Sequence, residues 1–296
     1  MSVPERDDVE IIVVDDASGE HYKEEIESAC SSRRTQTRIV FLTENGGGGK
    51  ARNEGMKIAR GKWVVFLDAD DMFNYCINAA MDDYADCDAD IIFFRASSID
   101  NDTYLPLRRA DRVNSCVEAA LNGTSDSDYL LRYRQGCPIG KLIRMDFLKE
   151  HNIWFEEIRK HNDVRFAYTS GYYAKKMSVD PRAIYCITSR GDSVSMDISA
   201  EARLLRVSVA IRGIEFHQKH GVAIDELSYN ILFDTMAEIY EKDKSVYEKG
   251  LQMLRESSLD QKMVERRLGK ALRNAKARRL LPAPVRRLIK SLFHIK

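Results

Sequence analysis

The chain has 296 residues, 46 Lys plus Arg against 46 Asp plus Glu, and 44% apolar residues. With only 16 Gly and 6 Pro, this excludes collagen-like, proline-rich and broadly disordered polymers, and the length suits one large α/β domain with an appendage or two modest domains. No apolar run reaches the roughly 20 residues that a bilayer-spanning helix needs. The start, Met1-Ser2-Val3-Pro4, lacks the basic and apolar regions of a secretory signal, so the expected compartment is the cytoplasm. The 6 Cys are scattered without a C-x-x-C pair, which points to neither a zinc site nor a disulfide framework. The zero net charge is uneven. Residues 261–296 carry twelve Lys or Arg against Glu265 alone, leaving an acidic body.

From residue 9 to about 100 the pattern alternates between short apolar runs and helix-spaced stretches, the signature of βα units. Val9 to Val14 reads as a strand ending at Asp15-Asp16, and Glu20 to Cys30 as a helix with Tyr22, Ile26, Ala29 and Cys30 on one side. Arg38 to Leu42 is a second strand. The glycine-rich stretch Asn45 to Gly49 follows, then a helix through Ala59 that Gly61 stops. Trp63 to Leu67 is a third strand, ending in Asp68-Ala69-Asp70-Asp71, and Ile91 to Phe94 a fourth. Continuously apolar strands are buried on both faces, which predicts a mostly parallel sheet with helices on both sides and ligands bound beyond the carboxyl ends of strands. Residues 101–195 are mixed, with helices near Ser115 to Leu121, Asp128 to Tyr133 and Val164 to Ala174 and a strand near Ala183 to Thr188. Beyond Asp197 nearly everything reads as helix. The predicted division is an α/β domain over 1–195 and a helical region over 196–296.

Three stretches carry candidate chemistry. Asp15-Asp16-Ala17-Ser18 follows a strand, where a carboxylate can accept from a base N–H or ribose hydroxyls, or where Asp16 and Ser18 form an Asx-type turn or helix cap. Asp68-Ala69-Asp70-Asp71 places three carboxylates within four residues. A Mg²⁺ or Mn²⁺ ion would relieve their repulsion, taking one or two of them and completing its shell with water and phosphate. The competing role is a solvated turn with Asp71 capping a helix over Met72 to Ala80. Asn45 to Gly55 runs a glycine loop into a helix start with Lys50 and Arg52, a setting for an anion. It is neither a P-loop nor a G-x-G-x-x-G fingerprint.

In this order the pieces resemble glycosyltransferase family 2, whose members have the nucleotide-sugar-binding GT-A fold. The resemblance rests on Val13 to Ser18, Asn45 to Gly55, Ala59-Arg60-Gly61 and Phe66 to Asp71. It extends weakly to about residue 195 through Gly140 to Arg144, Phe147-Leu148, Trp154-Phe155 and the pair Asn162-Asp163. It implies an inverting, metal-dependent transferase that moves a sugar from a nucleoside-diphosphate sugar to a glycan or lipid-linked acceptor in surface polysaccharide or lipopolysaccharide synthesis. Asp15, Asp16, Ser18, Lys50, Arg52, Asn53 and Asp68 would line the nucleotide-sugar pocket, Asp68 and Asp70 would hold Mn²⁺ or Mg²⁺, and Asp163 would be the general base. The chain departs from the family pattern in three ways. Asn162 stands where the family usually has an acid, no aromatic precedes Lys141, and the family's first strand and helix are absent before the D-D-x-S strand. A sheet without that interior strand is expected to be less stable and to bind nucleotide more weakly. Other readings of the same residues are a noncatalytic nucleotide or partner-binding remnant and a sugar nucleotidyltransferase.

At the end of the chain Val285, Leu288, Ile289, Leu292 and Phe293 recur at helical spacing among Arg286, Arg287 and Lys290. A basic amphipathic helix over 283–296 would suit contact with an anionic membrane surface, making the protein peripheral on the inner face of the membrane, or docking on the chain's own acidic body or on a second subunit. With one aromatic and no nucleic-acid motif in this segment, nucleic acid is not an expected partner.

Overall fold

Short apolar runs separated by polar turns settle as strands and helices in the expected alternation. The computed structural model describes residues 2–189 and 198–280, in two units, Met1–Ser193 and Val194–Lys296. In the first unit, β1 (Glu10–Asp15), α1 (Glu20–Ser31), β2 (Gln36–Phe41), α2 (Gly47–Ile58), β3 (Trp63–Val64), β4 (Met72–Phe73) and α3 (Ile77–Asp83) follow in order. They precede β5 (Ile91–Asp100), α4 (Asp111–Leu121), α5 (Ser127–Tyr129) with a π-helical turn Leu130–Arg134, β6 (Lys141–Arg144), α6 (Met145–Glu150), α7 (Asn162–Tyr173) and β7 (Met177–Ser189).

Among the described residues β1 and β2 form a parallel pair, in register from Glu10 opposite Gln36 to Asp15 opposite Phe41. A second sheet has the order β3-β6-β5-β7-β4, in which β5 and β7 are parallel and the other pairs antiparallel. The sheet is therefore mixed where a mostly parallel one was expected. Continuous apolarity reports burial on two faces, and strand direction does not enter it. β5 shows this directly. Ile91 and Phe93 enter one core with Phe66, Ile143, Phe147 and Phe166, whereas Ile92 and Phe94 enter another with Ile77, Leu142 and Ile184. Successive side chains of a strand point to opposite faces, so a run of four apolar residues serves both.

The stretch Trp63 to Leu67 behaves differently from the strand expected there. Only Trp63 and Val64 pair with β6, while Phe66 fills one core and Val65 and Leu67 pack against the other. Asp71 does not cap a helix over Met72 to Ala80. Met72 and Phe73 pair with Cys186 and Tyr185 of β7, and α3 begins at Ile77. α2 lies over β1, with Gly55 against Ile12 and Val14, and sends Met56 into the core beneath Phe66.

The second unit contains α8 (Ala200–Lys219), α9 (Glu226–Lys242), α10 (Lys244–Glu256) and α11 (Gln261–Leu280). Each starts on a side-chain cap: Ser199, Asp225, Asp243 and Asp260 accept from the amides of Ala202, Ser228, Val246 and Met263. Their inner faces share a core of Val207, Ile214, Leu232, Met236, Leu254 and Leu268. Among the described residues no helix is long and apolar enough to cross a membrane. The basic amphipathic segment expected over 283–296 lies outside the described residues.

Asp90 ties three strands of the second sheet together. It is 5% exposed, accepts from the amides of Lys175 and Lys176 at 2.7 and 3.0 Å, and pairs with Arg144. Burial pushes its pKa up, but the amides and the guanidinium outweigh burial and hold it below the ordinary aspartate value of 3.8. A carboxyl depressed by folding stabilises above its unfolded pKa, and that stability is lost as pH falls through the folded value. Asp90→Asn should therefore lower stability by about 2–3 kcal/mol at pH 7 and by much less at low pH, where the wild-type carboxylate is itself protonated. Urea denaturation at both ends of the range measures this.

Candidate active site

The stretches singled out in the sequence approach one another at the carboxyl ends of β1 and β3. Asp15 is 7% exposed and accepts from the Ser18 amide at 3.1 Å, so the Asx-type turn forms on Asp15 instead of Asp16. Asp16 is taken up differently. Its two carboxylate oxygens accept from the amides of Gly46 and Gly47 at 2.8 and 2.7 Å, and Asn45 Nδ2 donates to its carbonyl. The residue expected to meet a nucleotide thus anchors the glycine loop. Ser18 is exposed. Ala17, just beyond Asp16, and His161, just before α7, both hold φ of 59°, a left-handed backbone that non-glycine residues rarely adopt.

Glycine is needed at the start of α2 because another segment lies against it. A Cβ on Gly49 would collide with the Glu156 carbonyl oxygen and come within 3.0 Å of the Asn162 side chain. The glycine run therefore brings α2 onto residues 156–162, a contact with protein backbone where the sequence suggested an anion. Asn53, 4% exposed, fastens the same junction. Its side chain donates to the Phe155 carbonyl at 3.1 Å and accepts from the Phe155 amide at 2.9 Å. Lys50 pairs with Glu44 at 3.0 Å. Its pKa is raised by that carboxylate and, less strongly, by Glu157 and Asp16.

Arg52 joins the acidic stretches. Its guanidinium pairs with Asp68, donates to Asn162 Oδ1 at 3.2 Å and lies 5.3 Å from the Phe155 ring centre. Asp71 is held from β7: Tyr185 Oη donates to it at 2.6 Å, the Thr188 amide donates at 2.7 Å, and Thr188 Oγ1 donates to the Asp70 carbonyl. The Asp68 amide in turn donates to Tyr185 Oη at 3.2 Å. Burial raises the Asp71 pKa against these donors, with Asp70 and Asp68 adding to the rise. The crowding of three carboxylates is thus relieved by protein donors to Asp71 and Asp68. Asp70 is exposed. Among the described residues no group of three or more His, Cys, Asp or Glu is arranged to hold a metal ion.

Asp163 is half-buried in the first turn of α7. Burial pushes its pKa up, its own amide and the charge of Arg52 pull it down, Asp68 pushes up again and Lys141 pulls down. A carboxyl whose pKa burial raises above the ordinary aspartate value is suited to accepting a proton. Tyr185 and Thr188 fall in the strand expected near Ala183 to Thr188, where nothing marks them as site residues. They lie more than 110 residues from the acidic loop, and an aromatic in an apolar strand reads simply as core.

Gly49→Ala should separate α2 from residues 156–162 and lower stability by about 1–3 kcal/mol. Gly48→Ala, whose added Cβ meets only the guanidinium end of the Arg52 side chain, should change it by less than about 1 kcal/mol. Thermal denaturation, with Trp154 fluorescence reporting on the adjoining segment, distinguishes the two.

Acidic turns after β1 and β3 and a carboxyl at the head of α7, all on an α/β unit, define a GT-A type fold. The chain matches the crystal structure of Staphylococcus aureus TarS 1–349 in complex with UDP at a TM-score of 0.51 and 21% identity, over 82% of this chain and 65% of that one. At that identity the likeness concerns the fold. Residues 2–148 match the family described as Glycosyl transferase family 2, and the chain belongs to it. Among curated relatives, the uncharacterized glycosyltransferase EpsJ of Bacillus subtilis (strain 168) is 30% identical over 175 residues, 56% of this chain and 46% of the relative. The poly(ribitol-phosphate) beta-N-acetylglucosaminyltransferase TarS of Staphylococcus aureus (strain MW2) is 24% identical over 236 residues, 76% of this chain and 39% of the relative. The chain spans less than half the length of either.

Proposed function

We propose that the first unit binds a nucleoside-diphosphate sugar and transfers the sugar, with inversion, to a hydroxyl of a glycan or lipid-linked acceptor in surface polymer synthesis. The observation that carries this reading is the Arg52 bridge. One guanidinium links Asp68, on the donor side, to Asn162, the neighbour of Asp163. In the reaction Asp163 takes the acceptor hydroxyl proton as that oxygen forms its bond to the anomeric carbon. The bond from this carbon to the diphosphate breaks on the opposite face, and the diphosphate leaves with the electron pair. Arg52 and Lys50, on α2 beside the loop where the diphosphate would lie, are cations available to it, and Arg52 can exchange Asp68 for a phosphate oxygen. Asp68 and Asp70 would supply the two carboxylates that Mg²⁺ or Mn²⁺ takes from a protein when phosphate and water complete its shell. When bound, such an ion would offset charge developing on the leaving diphosphate. Asp16 and Asn53 hold the pocket's walls.

UDP-GlcNAc, the sugar nucleotide bound in a TarS crystal structure, is the first donor to assay. Asp163→Asn should lower UDP release by about 10²- to 10⁴-fold while leaving UDP affinity, read by isothermal titration calorimetry, within about twofold. Arg52→Met should instead weaken UDP binding by about tenfold or more, the loss of one charge-assisted bond. UDP binding with no sugar transfer in the unaltered chain would favour a noncatalytic binding role.

A further inference from the structure

Tyr185 is fully buried in β7, in a core with Phe73, Ile77, Ile92 and Phe94. Its ring meets Phe73 edge-on, with centres 6.0 Å apart. A phenylalanine would fill this space equally well without taking a hydroxyl out of water, which costs free energy unless the hydroxyl is bonded. This one is bonded twice, and both bonds go to the acidic turn after β3. Tyr185 Oη accepts from the Asp68 amide at 3.2 Å, which leaves its single proton for Asp71, to which it donates at 2.6 Å. Thr188, in the same strand and 4% exposed, adds two more bonds. Its amide donates to the other Asp71 carboxylate oxygen at 2.7 Å, and its hydroxyl donates to the Asp70 carbonyl. The turn closes on itself with the Asp71 amide donating to the Asp68 carbonyl at 3.0 Å, and the chain leaves it with Phe73 paired opposite Tyr185. β7 therefore grips Asp68, Asp70 and Asp71 together, yet bonds the carboxylate of Asp71 alone.

We propose that Tyr185, assisted by Thr188, is a positioning residue that sorts these three carboxylates, holding Asp71 against β7 and leaving Asp68 and Asp70 for the cation and diphosphate. This rests on the reading of those two as the cation's ligands. The Asp68 side chain is 40% exposed and Asp70 is exposed, whereas both oxygens of Asp71 are taken by β7. Mg²⁺ or Mn²⁺ bound with a diphosphate takes one or two protein carboxylates, and phosphate and water fill the rest of its shell. A third carboxylate free to join would compete with the phosphate oxygens. A hydroxyl anchored in a packed strand withdraws it without adding a charge to the site.

The test is isothermal titration calorimetry of the full chain with UDP, once in Mn²⁺ and once in EDTA. The gain in UDP affinity that Mn²⁺ confers on the unaltered chain should fall by about tenfold in Tyr185→Phe, the loss of one bond to a charged group. UDP affinity in EDTA, which draws on Arg52 and Lys50, should change by less than about twofold. Thr188→Val keeps the strand and its amide and loses only the bond to the Asp70 carbonyl, so the same gain should fall by about threefold. Asp90→Asn is the control for stability alone. It loosens the sheet beside the start of β5 and β7 and should leave both affinities within about twofold. If Tyr185→Phe does not fold, Thr188→Val carries the test. An unchanged Mn²⁺ gain in the folded variants overturns the proposal, and so does an equal loss of affinity in Mn²⁺ and in EDTA. An unaltered chain that binds UDP equally well in both overturns the cation reading of Asp68 and Asp70 and the proposal with it.

Discussion

Carboxylates that turn inward after strands must each find a donor, and the donors come from distant parts of the chain. Asp16 takes two glycine amides, Asp71 takes the Tyr185 hydroxyl and the Thr188 amide, and Asp68 takes Arg52. A half-buried carboxylate without such partners would bind a proton or disrupt its surroundings. The geometry of the site follows from this requirement. Asp16 sets where α2 begins, Arg52 on α2 then reaches Asp68, and β7 holds the acidic loop from its other side.

The same junction explains the glycine run. Amides in the first turn of a helix suit an anion, and here the loop also seats α2 against backbone at Glu156. These roles are compatible. The contact orients the helix start, while Asn53 locks Phe155 beside it and Phe155 stacks on Phe166 with ring centres 4.0 Å apart. Rigid support beneath a site holds its charges where a developing diphosphate charge would need them, without reorganisation during reaction.

Three charged side chains of this unit differ in how they are held. Arg52 is half-buried and shared between Asp68 and Asn162. Asp70 is exposed. Lys141 is interior and donates to the Gln135 carbonyl.

The sequence alone was sufficient for the βα alternation of the first hundred residues, the helical character of residues 200–280, the family and the stretches that meet in the site. All of these are local patterns: strand-length apolar runs, acids immediately after them, glycines at a helix start. Tertiary structure decided what each acid touches. Asp16 and Asn53 have the composition of ligand-binding residues but are engaged by backbone, and Asp71 has that of a helix cap but meets β7. Strand direction also lay beyond the sequence, because burial on both faces leaves parallel and antiparallel neighbours equally open. Tyr185, Thr188 and the interior position of Lys141 depend on contacts between residues far apart in the chain, and no periodicity encodes such contacts.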